Sequence, residues 1–458
     1  MSPPETLSFA RQSSVADIAG GESSCPVCAR DVRDESVPLN SLDGELAALI
    51  IANTPDSAEF YEVCSRCVGL FERAKKSIIE DAAMQKDGSH VLSTPLRLDA
   101  DDRFTGGGVT IAFLDSGFYP HVDLTTPNNR ILAYRNLLDR DGDLTTLFQP
   151  DVASWHGMMT SVVAAGNGSL SNGFYRGIAS NADVVLVKLA RTGRITEGNI
   201  EEGLRWVLDN AARYNIRVVN VSAGGDAEQS YLHDSLSRAV EECSAAGITV
   251  VCAVGNSGHM PNHPVLPPAS APSAIAVGGL DDNNSINRAK RGMYRSSYGP
   301  TIDGLQKPEV IASSIWVPAP ILPNTPTAQQ AELLAKLDRA DDHELYSIID
   351  EHHGVDPEVD AASDRPVHVI RQLVLLKIRR ESVITPHYKY VDGTSFSAPI
   401  VSSVVAQMIE ANAALKPAQV KRILISTAER LPHYEVDRQG WGVVDARRAV
   451  GAAISLQN

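Results

Sequence analysis

Three short strings in this chain hold an acid, an imidazole and a hydroxyl in settings that expose them. VTIAFLDSGFY ends an apolar run in Asp115, SWHGMMTSVVAAG sets His156 at the start of a run of small residues, and DGTSFSAP puts Ser395 in a Gly-Thr-Ser turn ahead of a long apolar stretch. An attacking hydroxyl needs a base to take its proton and a buried carboxylate to hold that base in one tautomer. Each residue alone has a plainer explanation: an Asp at a strand end is usually a cap or an ion-pair partner, a His at a helix start is usually structural, and a Ser in such a turn is often an N-cap. Together, in the order Asp, His, Ser, they meet the needs of a nucleophilic triad.

Thiols form the second set. Cys25-x-x-Cys28 and Cys64-x-x-Cys67 are separated by 35 residues. Two such knuckles present four sulfurs to one ion, the pattern of a tetrahedral structural Zn²⁺ site with a long spacer. A redox CxxC is the alternative, but one unit would suffice for it and neither follows a strand at a helix start. Cys243 and Cys252 lie in apolar surroundings and read as core thiols. His352 and His353 beside Glu351 could also hint at a metal, but their acidic, helical surroundings favour a solvated surface.

The elements that must position these groups follow from the pattern. From Gly106 onward, VTIAFLD, ADVVLVKLA, RVVNVSA, GITVVCAVG and SAIAVGG alternate with EGNIEEGLRWVLDNAARYN and SYLHDSLSRAVEECSAA. Short β-branched runs between amphipathic helices predict an α/β domain with a buried, mainly parallel sheet. The pattern breaks from about residue 316 to 386, where Pro-rich VPAPILPNTP leads into two helix-period stretches, TAQQAELLAKLDRADDHELYSIIDEHH and HVIRQLVLLKIRRESV. The expected organisation is a module and linker over residues 1–100, a catalytic domain over 101–458, and a helical insertion at 316–386. TGGGVT precedes its strand, whereas a dinucleotide loop follows one, so that reading fails.

The Asp, His, Ser order differs from that of chymotrypsin and of the α/β-hydrolases, and the surrounding strings resemble the subtilisin-like serine proteases over roughly residues 104–315 and 386–450. KPEVIASS and GWGVVDARRAV match further segments of that family. The resemblance implies a three-layer α/β fold and a catalytic set of Asp115, His156, Ser395 and Asn256, the last of these in VVCAVGNSG as the side-chain donor to the oxyanion. It also implies a cleft walled by Ser222, Ala223 and Gly224 on one side and by Ala253, Val254 and Gly255 on the other, with Leu266 as a candidate floor. A peptide would add to these edges as an extended strand. The small, apolar walls point to an apolar or uncharged residue before the scissile bond. Where the family has Thr and His two and three residues after the catalytic His, this chain has Met158 and Met159, so changed geometry near the cleft is expected, with the base kept. Calcium is common in the family, and Asp139-Arg-Asp-Gly-Asp143 offers clustered carboxylates without a full EF-hand loop.

Composition excludes several alternatives. The 458 residues are 43% hydrophobic and 21% charged, as in a soluble globular protein. With 41 Lys+Arg against 56 Asp+Glu the formal charge is −15, which opposes nucleic acid and anionic lipid as partners. The first 100 residues carry nine basic and sixteen acidic residues, so the zinc module is expected to touch protein rather than nucleic acid. MSPPETLSFARQSSVADIAG has no basic start followed by an apolar core, and no run reaches the length of a membrane span, so a cytoplasmic location is expected. The zinc module and the insertion are expected to regulate or target a serine endopeptidase. The competing reading is a binding scaffold of the same fold with little or no activity.

Overall fold

The computed structural model describes residues 25–27, 35–52, 62–81, 91–139, 144–190 and 194–457. They fall into two compact units, Met1–Phe71 and Glu72–Asn458. In the first, β1 (Ser36–Pro38) pairs antiparallel with β2 (Glu62–Cys64), accompanied by helix Gly44–Ala52 and by the start of helix Ser65–Asp81, which begins directly after Cys64, so that, against the expectation from sequence, Cys64-x-x-Cys67 does sit at a helix start after a strand.

The second unit is built on β3 (Thr110–Asp115), β4 (Ile131–Asn136), β5 (Asp183–Lys188), β6 (Ile216–Val221), β7 (Thr249–Ala253) and β8 (Ile275–Asp281). The two-residue β9 (Gly292–Met293) runs antiparallel to β8, β10 (Gly299–Pro300) and β11 (Gln306–Lys307) form a small ribbon, and β12 (Val310–Ser313) closes the sheet. The order β12-β8-β7-β6-β3-β5-β4 is parallel throughout. Every residue of β3 is buried, because helices cover both faces and side chains alternate between them. Ile111 and Phe113 pack with the helices Ser154–Ala165, Thr394–Ala411 and Ala446–Ser455. Ala112 and Leu114 face Glu197–Tyr214 and Ser235–Ala245. Burying one such Val, Leu, Ile or Phe contributes about 1.5–3 kcal/mol, so a one-residue slip of this strand would exchange its two apolar sets and is strongly opposed.

The α/β reading with a mainly parallel sheet therefore holds. Two helices are shorter than their periodicity predicts. The SYLHDSLS segment becomes helical only at Ser235, because Asp234 caps the N–H groups of Leu236 and Ser237 while Asp303 holds Ser230 and Tyr231 outside the helix. The expected continuous helix from Thr327 to His353 is broken at Ala340. There the Arg371 guanidinium donates to the carbonyls of Leu337 and Ala340 and to the Asp342 carboxylate, taking up helix-end acceptors.

That break lies in the segment between β13 (Val317–Pro320) and β14 (Tyr388–Val391), an antiparallel pair. Four helices between them, Pro326–Arg339, Leu345–Glu351, Pro357–Asp360 and Val367–Arg380, enclose an apolar core of their own around Leu333, Leu337, Ile349 and Ile370. Lys377 and Asp356 form a buried 2.8 Å ion pair inside it. Among the described residues no helix is long and apolar enough to cross a membrane.

Candidate active site

The carboxyl ends of the parallel strands are where an α/β sheet offers its crevice, and Asp115 is the last residue of β3. Its side chain is buried, with Oδ1 accepting from the Ser116 N–H at 2.7 Å and lying 2.7 Å from His156 Nδ1. A carboxylate can only accept, so Nδ1 carries the proton and Nε2 of the neutral ring is left as the basic nitrogen. Oδ2 accepts from the Thr160 hydroxyl at 3.0 Å. Burial pushes the His156 pKa down, but the charge of Asp115 and its hydrogen bond outweigh this, and the net shift is upward from the ordinary imidazole value.

The helix carrying His156 can approach so closely because of two glycines. A Cβ on Gly157 would stand 2.2 Å from the Gly117 carbonyl oxygen and 2.9 Å from the Asp115 Cβ, and one on Gly117 would stand 3.1 Å from the Ala153 backbone. Met158 and Met159, the departures noted above, are both buried in the main core. They leave the His156–Asp115 bond intact.

Ser395 is the second residue of the helix Thr394–Ala411, whose N-cap is Gly393. Pro399 sits four residues on and has no N–H for the Ser395 carbonyl. That carbonyl instead accepts the Ser222 hydroxyl at 2.9 Å, which ties the Ser395 backbone to the end of β6. The ring of Phe396 packs at 5.8 Å from that of His156. Among the described residues the Ser395 hydroxyl makes no hydrogen bond.

Asn256 is oriented by the same turn. Its Oδ1 accepts from the Thr394 N–H at 3.0 Å and the Thr394 hydroxyl at 3.1 Å. Because the carbonyl end must face that N–H, the amide nitrogen Nδ2 faces the opposite way. Gly393 stands at φ +132°, and a Cβ there would lie 3.7 Å from Asn256 Nδ2, 3.8 Å from Asn256 Oδ1 and 3.9 Å from the Ser395 backbone nitrogen. Gly393 thus keeps the turn open beside Asn256 and the Ser395 N–H. Replacing Asn256 by Ala is expected to lower kcat about 10²- to 10³-fold with KM little changed, as steady-state kinetics on a peptide amide would report.

All seven expected wall and floor residues, Ser222, Ala223, Gly224, Ala253, Val254, Gly255 and Leu266, line one pocket of about 330 Å³ together with Asn256 and Ser395. None of the residues lining it is ionisable.

In the first unit, Cys25, Cys64 and Cys67 are buried and their sulfurs lie within 4.8 Å of one another, a cluster that could hold a metal ion. Cys28 lies outside the described residues. The Cys64 N–H points at Cys25 Sγ (3.5 Å) and the Cys67 N–H at Cys64 Sγ (3.4 Å), an arrangement that favours thiolate over thiol and so fits a soft cation such as Zn²⁺. Of the acidic string proposed for calcium, Asp139 is described, whereas Asp141 and Asp143 are not. His352 Nδ1 bonds to the Ile348 carbonyl oxygen. Cys243 and Cys252 are fully buried, and burial pushes both thiols up to about 12, which leaves them inert.

Sequence reasoning missed Thr160, Ser116, Thr394 and Gly393. For Thr160 a signal existed: it stands four residues after His156 and hence on the same helix face.

Residues 106–442 match the subtilase (peptidase S8) family. Serine protease AprX of Bacillus subtilis (strain 168) is 29% identical over 358 residues, 76% of this chain and 67% of that protein. Alkaline elastase YaB of Bacillus sp. (strain YaB) is 34% identical over 204 residues, 44% of this chain, so the chain matches less than half (45%) of that relative's length. Among solved structures, a protease from Pseudoalteromonas arctica PAMC 21717 shares the fold at a TM-score of 0.51 and 21% identity, covering 82% of this chain and 97% of that one.

Proposed function

The chain belongs to the subtilase family of serine endopeptidases, and from that premise we propose that it hydrolyses peptide bonds in protein substrates with Asp115, His156, Ser395 and Asn256. The observation that carries the reading is the 2.7 Å bond between the buried Asp115 and His156 Nδ1, which leaves Nε2 basic next to the turn that bears Ser395. An extended peptide pairs with Ser222–Gly224 and Ala253–Gly255. His156 takes the Ser395 proton as Oγ attacks the carbonyl carbon, and the oxyanion accepts from Asn256 Nδ2 and the Ser395 N–H. His156 then protonates the leaving amine and activates the water that releases the acyl group. A pocket lined by no ionisable group favours an uncharged side chain before the scissile bond. A fluorophosphonate should label the protein at Ser395, located by mass spectrometry of the labelled peptide; labelling at a different residue overturns the assignment.

The thiolate cluster holds one structural Zn²⁺, with Cys28 as fourth ligand. Metal analysis of the purified chain should find close to one zinc per molecule, and less than half of that in Cys64→Ser; a metal-free protein that is fully folded rejects the site. Four cysteines used as thiolates need a reducing compartment, which supports a cytoplasmic location. The acidic zinc module and the helical insertion regulate the enzyme or recruit its targets through protein contacts. The net charge of −15 speaks against nucleic acid or a membrane surface as the partner.

A further inference from the structure

A second cavity, of about 620 Å³, is lined by Trp155 and Met159, which bracket His156 in the sequence of its helix, and shares no lining residue with the Ser395 pocket. That volume is in the range of sites that enclose a ligand group. Three segments build it: Val152, Trp155 and Met159 at the start of the His156 helix, Leu322 at the entry to the insertion, and Lys389 and Val391 in β14. Trp155 meets the His156 ring edge-on at 5.2 Å. Val391 precedes Ser395 by four residues, so at roughly 3.3 Å per residue the cavity wall is within about 13 Å of the nucleophile. The insertion leaves the chain at β13 and returns at β14, so the Leu322 wall exists only because the insertion is present.

Chemistry distinguishes the two flanks. The pocket that contains Ser395 and Asn256 holds the acyl half of a substrate, while His156 hands its proton to the departing amine, so the half that departs lies on the side of His156 away from that pocket. The second cavity, whose Trp155 touches that imidazole, is apolar and open: Val152 is 81% exposed and Trp155 45%. Its acidic member, Asp151, is already engaged by Lys188 and by the Ala153 N–H. Large apolar groups left uncovered beside a catalytic imidazole suit an apolar occupant.

The geometry points to this cavity as a specificity pocket for an aromatic or branched aliphatic side chain carried within the first three residues after the scissile bond. The inference deepens the endopeptidase reading and rests on it. Its test is a set of peptides with one fixed acyl half and Gly, Asp, Leu or Phe at each of those three positions, compared with the methyl ester of that acyl half, which carries no residue beyond the scissile bond. Leu or Phe at one position should raise kcat/KM roughly 10- to 100-fold over Gly. Val152→Asp, at a surface position that does not endanger folding, and Leu322→Ala should each remove most of that preference while the methyl ester is turned over within about twofold of wild type. A wild type that cleaves the methyl ester but treats the four residues alike at every position, or a preference unchanged in both variants, overturns the pocket alone. A wild type that cleaves neither kind of substrate overturns the endopeptidase reading, and the pocket's role with it.

Discussion

Replacing Ser395 by alanine is expected to lower kcat by roughly 10⁴- to 10⁶-fold, with KM nearly unchanged and the folded state intact. The selectivity of that loss follows from how the residue is held. Its carbonyl is fixed by the Ser222 hydroxyl, and the turn around it by Thr394, Asn256 and Gly393. The hydroxyl itself bonds to no other described residue, so deleting it removes the nucleophile and little else. Both oxyanion donors survive the substitution, and residual turnover above the uncatalysed rate should persist. Kinetics with active-site titration and a melting curve would check this; a variant that keeps more than a tenth of wild-type kcat would remove Ser395 from the mechanism.

Asp115→Asn should cost about 10⁴-fold in kcat and also move the pH profile. In the wild type the Asp115 carboxylate holds the His156 pKa above the ordinary imidazole value against the opposing effect of burial. The base works only when neutral, so kcat/KM falls as pH drops through that raised pKa, and the acid limb should lie above the ordinary ~6.5. Removing the charge leaves burial as the dominant influence, which disfavours the imidazolium. The acid limb of the residual activity should therefore shift to lower pH, while the rate on the plateau stays low because an amide can donate to Nδ1 and stabilise the wrong tautomer. An acid limb that does not move would show that the titrating base is not coupled to Asp115.

The candidate site was legible in part. Asp115, His156, Ser395 and Asn256 could be named because each lies in a local string whose turn or helix start is written in adjacent residues. Their supports are not local. The hydroxyl that satisfies the Ser395 carbonyl comes from Ser222, 173 positions earlier, and the group that turns Asn256 is Thr394, 138 positions later. Helix periodicity likewise overran Arg339, since the guanidinium that ends that helix belongs to Arg371 on a later one.

By itself, the sequence determined the alternation of buried strands and amphipathic helices, the helical character of the segment between about residues 316 and 386, and the residue types proposed as acid, base and hydroxyl. These are short-range matters of side-chain period, turn chemistry and residue type. Only the tertiary structure decided which carboxylate oxygen meets His156, which end of the Asn256 amide faces the cleft, and that Val152, Leu322 and Val391 enclose one cavity. Those depend on contacts between residues distant in the chain, 41 positions for Asp115 and His156 and 138 for Asn256 and Thr394, where close approach is set by packing of glycine-bearing turns against strand ends and no local pattern encodes the distance.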